Sequence, residues 1–306
     1  MEKSREPGQP FLRERSDMMF TQPVTEIIRR RYSCRRYLDA PIEEQTRQRL
    51  AEFVASDAAG PFGPTPARFI LAAATEQDRQ DLRGLGTYGF IKGPTGFIIG
   101  AMGHGEKNLE GFGYLMERIV LFATDLGLGT CWLGGTFTRS SFSRRIGTKR
   151  GETIPAVIST GYTADEGGLR DPIRRMAGSD RRLPWEAIFF DARFGNPLAP
   201  HAAGAYTEVL EMVRMGPSAS NKQPWRIVRE GSRWHFYLQR TPGYAAVGVG
   251  KLVGIADLQR VDVGIAMCHL TLTATELGLA GQWQIRDPGL EMPSDLTEYT
   301  ASWVGK

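Results

Sequence analysis

The amino-acid sequence predicts a chain of mixed helices and strands, α+β or α/β in class, that is built twice from related halves. Its 306 residues are enough for two ordinary domains or one large one. Hydrophobic residues make up 41% of the chain and charged residues 24%, close to globular averages, which excludes a largely disordered, collagenous or coiled-coil protein. An internal repeat indicates that one architectural unit occurs twice.

The repeat pairs two segments of equal length, 113–132 (GYLMERIVLFATDLGLGTCW) and 264–283 (GIAMCHLTLTATELGLAGQW). Nine of the twenty positions are identical without gaps, whereas about one identity is expected by chance. Apolar residues in the first copy follow the spacing of an amphipathic helix, and Gly127 and Gly278 stand where a helix ends. Duplication is therefore favoured over a chance likeness of two buried helices.

Helices and short strands alternate on both sides of the repeat. The patterns predict helices over 43–54 and 206–213 and strands over 69–73, 96–101, 154–162 and 234–238. A stretch rich in Arg, Pro and Gly separates the halves. We divide the chain into a loose N-terminal tail (1–22), a first half (23–165), a basic connection (166–200) and a second half (201–306).

Charge and composition narrow the classes of partner. The net charge of +4 and pI near 9.0 fit either a nucleic-acid surface or a pocket for a phosphorylated small molecule. The arginine runs lack interleaved aromatic residues, so we expect no nucleic acid. Three cysteines without a CxxC pair and four isolated histidines favour neither a disulfide framework nor a metal site. No apolar stretch suits a signal or a membrane span, which favours a cytoplasmic protein with no membrane partner.

Two polar segments are candidates for binding a cofactor. The first, 28–37, contains R-x-S-x-R; on an extended chain Arg31, Ser33 and Arg35 point to one side, which suits a phosphate or an anionic ring edge. The second, 216–225 (GPSASNKQPW), is a loop whose donors and acceptors suit a flat polar heterocycle. Taken alone, the first could be a solvated helix end and the second a capping turn.

Together the two segments resemble the nitroreductase family of flavin enzymes. R-x-S-x-R-R-Y, LGLGTCWLGG, IPAVISTGY and PSASNKQPW extend the resemblance from about residue 24 to 283. The chain departs from the family in two places: AAGPFGPTPARF replaces the PSxxNxQPW loop in the first half, and DARFGNPL in the second lacks R-x-S-x-R. The resemblance implies an α+β, nitroreductase-like fold in which a homodimer is fused into one intramolecular pseudo-dimer that works as a monomer. The chain is also similar to a subgroup of this family in which a basic stretch precedes a Pro-Trp-Glu segment, here residues 184–186.

The same resemblance assigns FMN as cofactor and a role to fourteen residues. Arg31, Ser33 and Arg35 would hold the phosphate and ribityl side, and Lys92 would lie near flavin N1 and O2. Further contacts would come from the backbone of Leu133, Gly134 and Gly135, from Arg181 and Arg182 at the phosphate, and from Pro217, Ser218, Ser220, Asn221 and Gln223 of the second half.

The implied reaction is ping-pong: NAD(P)H reduces FMN, and a small-molecule oxidant such as a nitroaromatic or quinone reoxidises it. No side chain stands out as a general acid, and none is required if solvent supplies the protons. Two alternatives share the flavin scaffold. One is a specialised reductase or dehalogenase, and the other is a flavin-binding sensor or carrier without rapid turnover.

Overall fold

The computed structural model describes residues 19–56, 59–73, 82, 85–164, 181–243 and 256–305. Most of the predicted tail, the first part of the predicted connection and the boundary between residues 165 and 166 lie outside these ranges. The elements of the first half are α1 (Val24–Arg30), α2 (Glu44–Ala55), β1 (Ala67–Ala73), β2 (Gly96–Met102), α3 (Asn108–Asp125), β3 (Gly129–Leu133), α4 (Arg139–Ile146) and β4 (Val157–Gly161). Those that follow are β5 (Phe189–Asp191), α5 (Thr207–Arg214), β6 (Trp225–Glu230), β7 (Arg233–Gln239), α6 (Leu258–Glu276), β8 (Gly281–Gln284) and β9 (Thr297–Gly305). The predicted helices and strands are confirmed, with ends shifted by up to three residues.

Each half contains a sheet of the same topology. The first sheet has the order β1-β2-β4-β3, and the second repeats it as β6-β7-β9-β8, with all these neighbours antiparallel. β5 joins the second sheet at its β6 edge as a parallel strand. The matching strand orders support the two related halves that the repeat predicted.

The two copies of the repeated helix, α3 and α6, cross at glycines that correspond in the repeat. A Cβ on Gly113 would lie 2.1 Å from the carbonyl oxygen of Val261, and one on Gly264 would lie 2.0 Å from that of Glu110. Because only glycine leaves room for such a backbone approach, the repeat brings its own two copies together. At the same crossing, Arg260 of α6 forms an ion pair with Glu110 of α3 at 2.6 Å.

Both helices end as their shared Leu-Gly-Leu predicted. Gly127 and Gly278 have φ of 80° and 73°, the left-handed conformation that terminates a helix at little cost in glycine. The N–H of the next leucine then donates back into the helix, from Leu128 to Ala123 O and from Leu279 to Ala274 O, each at 2.8 to 3.0 Å. After this turn the chain enters β3 in the first half and β8 in the second.

The halves share buried apolar surface. Val24, Ile27 and Ile28 of α1 lie in one core cluster with Val209 and Val213 of α5. The segment after α1 is thereby carried to the boundary between the halves. Within the described residues, none of the helices combines the length and apolar character that crossing a bilayer requires.

Candidate functional site

A cavity of about 540 Å³ lies where the two halves meet, within the range of small-molecule and cofactor sites. Its walls are the segment after α1, the end of β3, the end of α5 with the loop that follows, and the first turns of α6. Ten of the fourteen predicted residues line it: Arg31, Ser33, Arg35, Leu133, Gly134, Arg182, Pro217, Ser218, Ser220 and Asn221. Segments almost two hundred residues apart in sequence therefore form one site.

The arginine segment is extended and tied down along its backbone. Arg31 ends α1 with φ −61° and ψ 128°. Cys34 N–H donates to Thr130 O at 2.8 Å beside β3, and Lys92 N–H donates to Arg35 O at 2.9 Å. Cys34 is buried on one side, while Arg31, Ser33 and Arg35 line the cavity. The three predicted residues share the cavity, but Tyr32 lines it as well, so the segment does not alternate strictly.

The loop 217–223 has an unusual backbone. Ser220, Asn221 and Gln223 have φ of 50°, 53° and 48°, a left-handed conformation that costs a non-glycine residue about 1–3 kcal/mol. Such strain persists only where surrounding contacts impose it, and it clusters at binding sites. Ser218 Oγ accepts the Gln223 N–H at 2.8 Å and closes the loop on itself.

The basic segment before Pro184 clamps this loop from behind. Gln223 Oε1 accepts the Leu183 N–H at 2.9 Å, and Asn221 Nδ2 donates to Arg181 O at 2.9 Å. Arg182 Nη2 donates to Met215 O at 3.0 Å, which places its guanidinium at the cavity. The segment from the predicted connection is thus part of the site.

Positive charge dominates the cavity wall. Five arginines line it, namely Arg29, Arg31, Arg35, Arg182 and Arg214. Arg29 pairs with Glu208, and Arg214 pairs with Glu211 at 2.7 Å. The excess of guanidinium groups suits an anion such as a phosphate, because arginine binds it through charge-assisted and bidentate hydrogen bonds.

Four predicted residues do not line the cavity. Lys92 is exposed, and its backbone forms hydrogen bonds with the arginine segment: its N–H donates to Arg35 O, and its carbonyl oxygen accepts the Tyr37 N–H. Gly135 is exposed beside Gly134, and Arg181 is exposed while its carbonyl holds the loop. Gln223 is only 3% exposed and lies behind the loop, where its amide bonds are used internally.

Sequence reasoning missed Asp262, Glu211, Arg214 and Leu258, all of which line the cavity. Asp262, on the second turn of α6, is 3% exposed and accepts the Ala219 N–H at 3.0 Å. Burial raises the pKa of its carboxyl well above the ordinary range. The sequence does carry a signal for Asp262. If the repeat is extended two residues upstream, this aspartate aligns with Gly111, so the two halves differ at this position.

Trp132 joins the cavity to a buried polar chain. Its indole N–H donates to Glu117 Oε2 at 2.8 Å, and Glu117 Oε1 lies 3.0 Å from His269 Nε2. His269 Nδ1 lies 2.8 Å from Met212 O and carries a hydrogen, because a carbonyl oxygen only accepts. Glu117 and His269 are both fully buried. The chain ties α3, α6 and α5 together behind the cavity wall.

Comparison with known proteins agrees with this architecture. The family model described as "Putative TM nitroreductase" matches residues 23–274. A "putative nitroreductase" from Thermotoga maritima has 20% identity and a TM-score of 0.56, over 92% of this chain and 94% of that one. Another from Desulfovibrio desulfuricans, solved in complex with FMN, has 22% identity and a TM-score of 0.39, over 51% of this chain and 95% of that one. No curated protein matches the sequence. The chain therefore belongs to this nitroreductase family and, as its sequence predicted, is a nitroreductase-like oxidoreductase.

Proposed function

We propose that the chain binds one FMN in the cavity between its halves and uses NAD(P)H to reduce a small oxidised acceptor, such as a nitroaromatic or a quinone. The observation that carries this proposal is the meeting of Arg31, Ser33 and Arg35 from one half with the 217–221 loop from the other on one cavity. Each segment alone has an ordinary explanation, but their convergence does not follow from either.

The chemistry of the wall fits FMN in its two unlike parts. Arg31, Arg35 and Arg182 supply the cations that a phosphate requires. The hydroxyl and amide groups of Ser218, Ser220 and Asn221 suit the polar edge of the isoalloxazine or the ribityl chain. Bound FMN would supply the redox chemistry, accepting a hydride from the nicotinamide and passing electrons to the acceptor.

The apolar part of the wall would hold the rings. Leu133, Leu258, Val261, Ile265 and Phe90 are apolar residues that line the cavity. Gly134 lies so close to Leu258 that a Cβ there would be 2.4 Å from Leu258 Cδ1. Apolar lining of this kind accepts aromatic rings, which suits a donor and an acceptor that bind alternately.

Anaerobic spectroscopy of the purified protein tests the proposal. The protein loaded with FMN should lose its flavin absorbance at about 450 nm on addition of NADH or NADPH, and menadione or nitrofurazone should restore it. Riboflavin, which lacks the phosphate, should bind at least about tenfold more weakly than FMN, because the arginines would lose their anion.

The other outcomes separate the alternatives. A protein that takes up FMN and is reduced by dithionite but by neither nicotinamide would be a flavin sensor or carrier. Reduction by NAD(P)H without reoxidation by quinones or nitroaromatics would favour a specialised reductase or dehalogenase. A protein that takes up no FMN would contradict the proposal as a whole.

A further inference from the structure

Asp262 is a buried carboxyl in the cavity that the proposed reaction does not use. It is 3% exposed, and both carboxyl oxygens lie within hydrogen-bond distance of one donor, the Ala219 N–H, at 3.0 and 3.1 Å. Among the described residues, the carboxyl has no other hydrogen bond or ion pair. A single backbone donor leaves most of its hydrogen-bonding capacity facing the cavity.

The donor belongs to the loop whose backbone is strained. Ala219 directly precedes Ser220 and Asn221, two of the left-handed residues. The contact from α6 is separate from the hydrogen bond between Gln223 and Leu183 on the same loop. Without an acceptor at position 262 the Ala219 N–H would lose this partner, and the loop would lose this hydrogen bond to α6.

The first half of the chain provides an internal comparison. The repeat sets Gly111 opposite Asp262, and the neighbouring loop, 60–66, has lost the PSxxN motif. A Cβ on Gly111 would lie 2.7 Å from Thr65 Oγ1, so this threonine occupies the place that a side chain would need. The carboxyl is present where the motif is kept and absent where the motif is lost.

We propose that Asp262 is a positioning residue that holds the FMN-binding loop through Ala219 and couples FMN binding to the uptake of one proton. The inference rests on the proposed function, because the ligand is FMN. An ionised Asp262 would share a closed cavity with a phosphate and a flavin ring, while the neutral acid removes that repulsion and keeps an oxygen to accept the Ala219 N–H.

The surrounding charges set the sign of the effect. Arg31, Arg35 and Arg182 face the same cavity and favour the ionised form, as does Arg29, although it is paired with Glu208. Glu211, paired with Arg214, and Asp257, which caps the start of α6, act in the opposite sense. The other titratable side chains in the wall are Tyr32 and Cys131. Bound FMN adds negative charge beside these arginines and displaces water. It therefore raises the pKa of Asp262 above its value in the free protein, and affinity is full below the free-state pKa and falls as pH rises toward the bound-state pKa.

FMN dissociation constants of wild type, D262N, D262A and D295N between about pH 5 and 8 test the proposal. Flavin fluorescence gives the constant, and circular dichroism checks folding. The wild-type constant should rise with pH more steeply than that of D262N, by about three- to tenfold per pH unit, because asparagine keeps the acceptor but cannot ionise. Titration of the FMN phosphate is common to both proteins and cancels. D295N, which replaces an exposed aspartate that does not line the cavity, should keep the wild-type slope.

D262A should bind FMN about ten- to a hundredfold more weakly than D262N at every pH, because neither variant ionises at this position and only D262A leaves the loop without its acceptor. Parallel pH profiles for wild type and D262N, or equal affinities in D262A and D262N, would overturn the inference while leaving the proposed function intact. A wild-type protein that binds no FMN would overturn both.

Discussion

At the scale of single residues, the side chains that line the cavity are held by partners one layer behind them. Gln223, which does not reach the cavity, fixes the loop that does, and Glu117 and His269 hold the indole of Trp132 in the wall. Truncating such a partner should therefore change the site without removing a contact to the ligand. We therefore predict different effects for substitutions of lining residues and for substitutions of the residues that support them.

Arg31→Ala should weaken FMN binding by about ten- to a hundredfold, because a charge-assisted hydrogen bond is worth about 1.5–3 kcal/mol. The matched control is Arg36→Ala, since Arg36 is exposed, lies outside the cavity and pairs with Lys92 through its backbone. Fluorescence titration with FMN measures both variants. Equal FMN affinities in the two variants would show that Arg31 is not the arginine of this segment that contacts the ligand.

His269→Ala should lower the free energy of unfolding by about 3–5 kcal/mol, because the fully buried Glu117 carboxyl would lose one of its two hydrogen-bond partners and the missing imidazole would leave a cavity. His201→Ala, at an exposed position, should stay within about 0.5 kcal/mol of wild type. Denaturant unfolding monitored by tryptophan fluorescence gives both values. A loss at position 269 as small as that at 201 would rule out a stabilising pair.

At the scale of elements, the crossing of α3 and α6 organises the molecule. Gly113 and Gly264 permit the close approach, and the sheets then repeat one topology on either side. The arginine segment and the loop reach the same cavity because each is attached to one of these halves.

Gly264→Ala should destabilise the protein by about 1–3 kcal/mol or more, because the new methyl would lie 2.0 Å from a backbone oxygen that no side-chain rotation can move. Gly103→Ala is the matched control: its Cβ would meet only Pro66 at 3.6 Å, an ordinary contact. Thermal unfolding compares the two. If Gly264→Ala were tolerated as well as the control, the helices would not cross at this glycine.

Many of the helices and strands, and one wall of the cavity, could be predicted from the sequence because the patterns that indicate them are local. Helical spacing and the Leu-Gly-Leu ends located α3 and α6, and the alternation of Arg31, Ser33 and Arg35 located one wall of the cavity. Asp262 could not be found in this way, because its role depends on a contact with Ala219 forty-three residues away. Gln223 lies in the predicted motif, but its burial depends on Leu183 of a distant segment.

At the scale of the whole molecule, the two halves are alike in topology but unlike in chemistry. The cavity of the kept site has an arginine segment on one side and the 217–221 loop on the other. At the corresponding place in the other half, the loop 60–66 has prolines in place of the motif, and Thr65 packs against Gly111. We infer that a fused dimer has retained one site and that the counterpart has lost the residues that would bind FMN.

The stoichiometry of FMN in the purified protein, measured together with its molar mass by light scattering, tests this account most directly. One FMN per 306-residue chain, bound by a particle of 33.9 kDa, is the predicted result, because a single chain contributes both walls of the cavity. Two FMN per chain would contradict the loss of the second site. FMN bound only by a dimer would contradict a site completed within one chain, and a protein that binds none would contradict the flavin assignment itself.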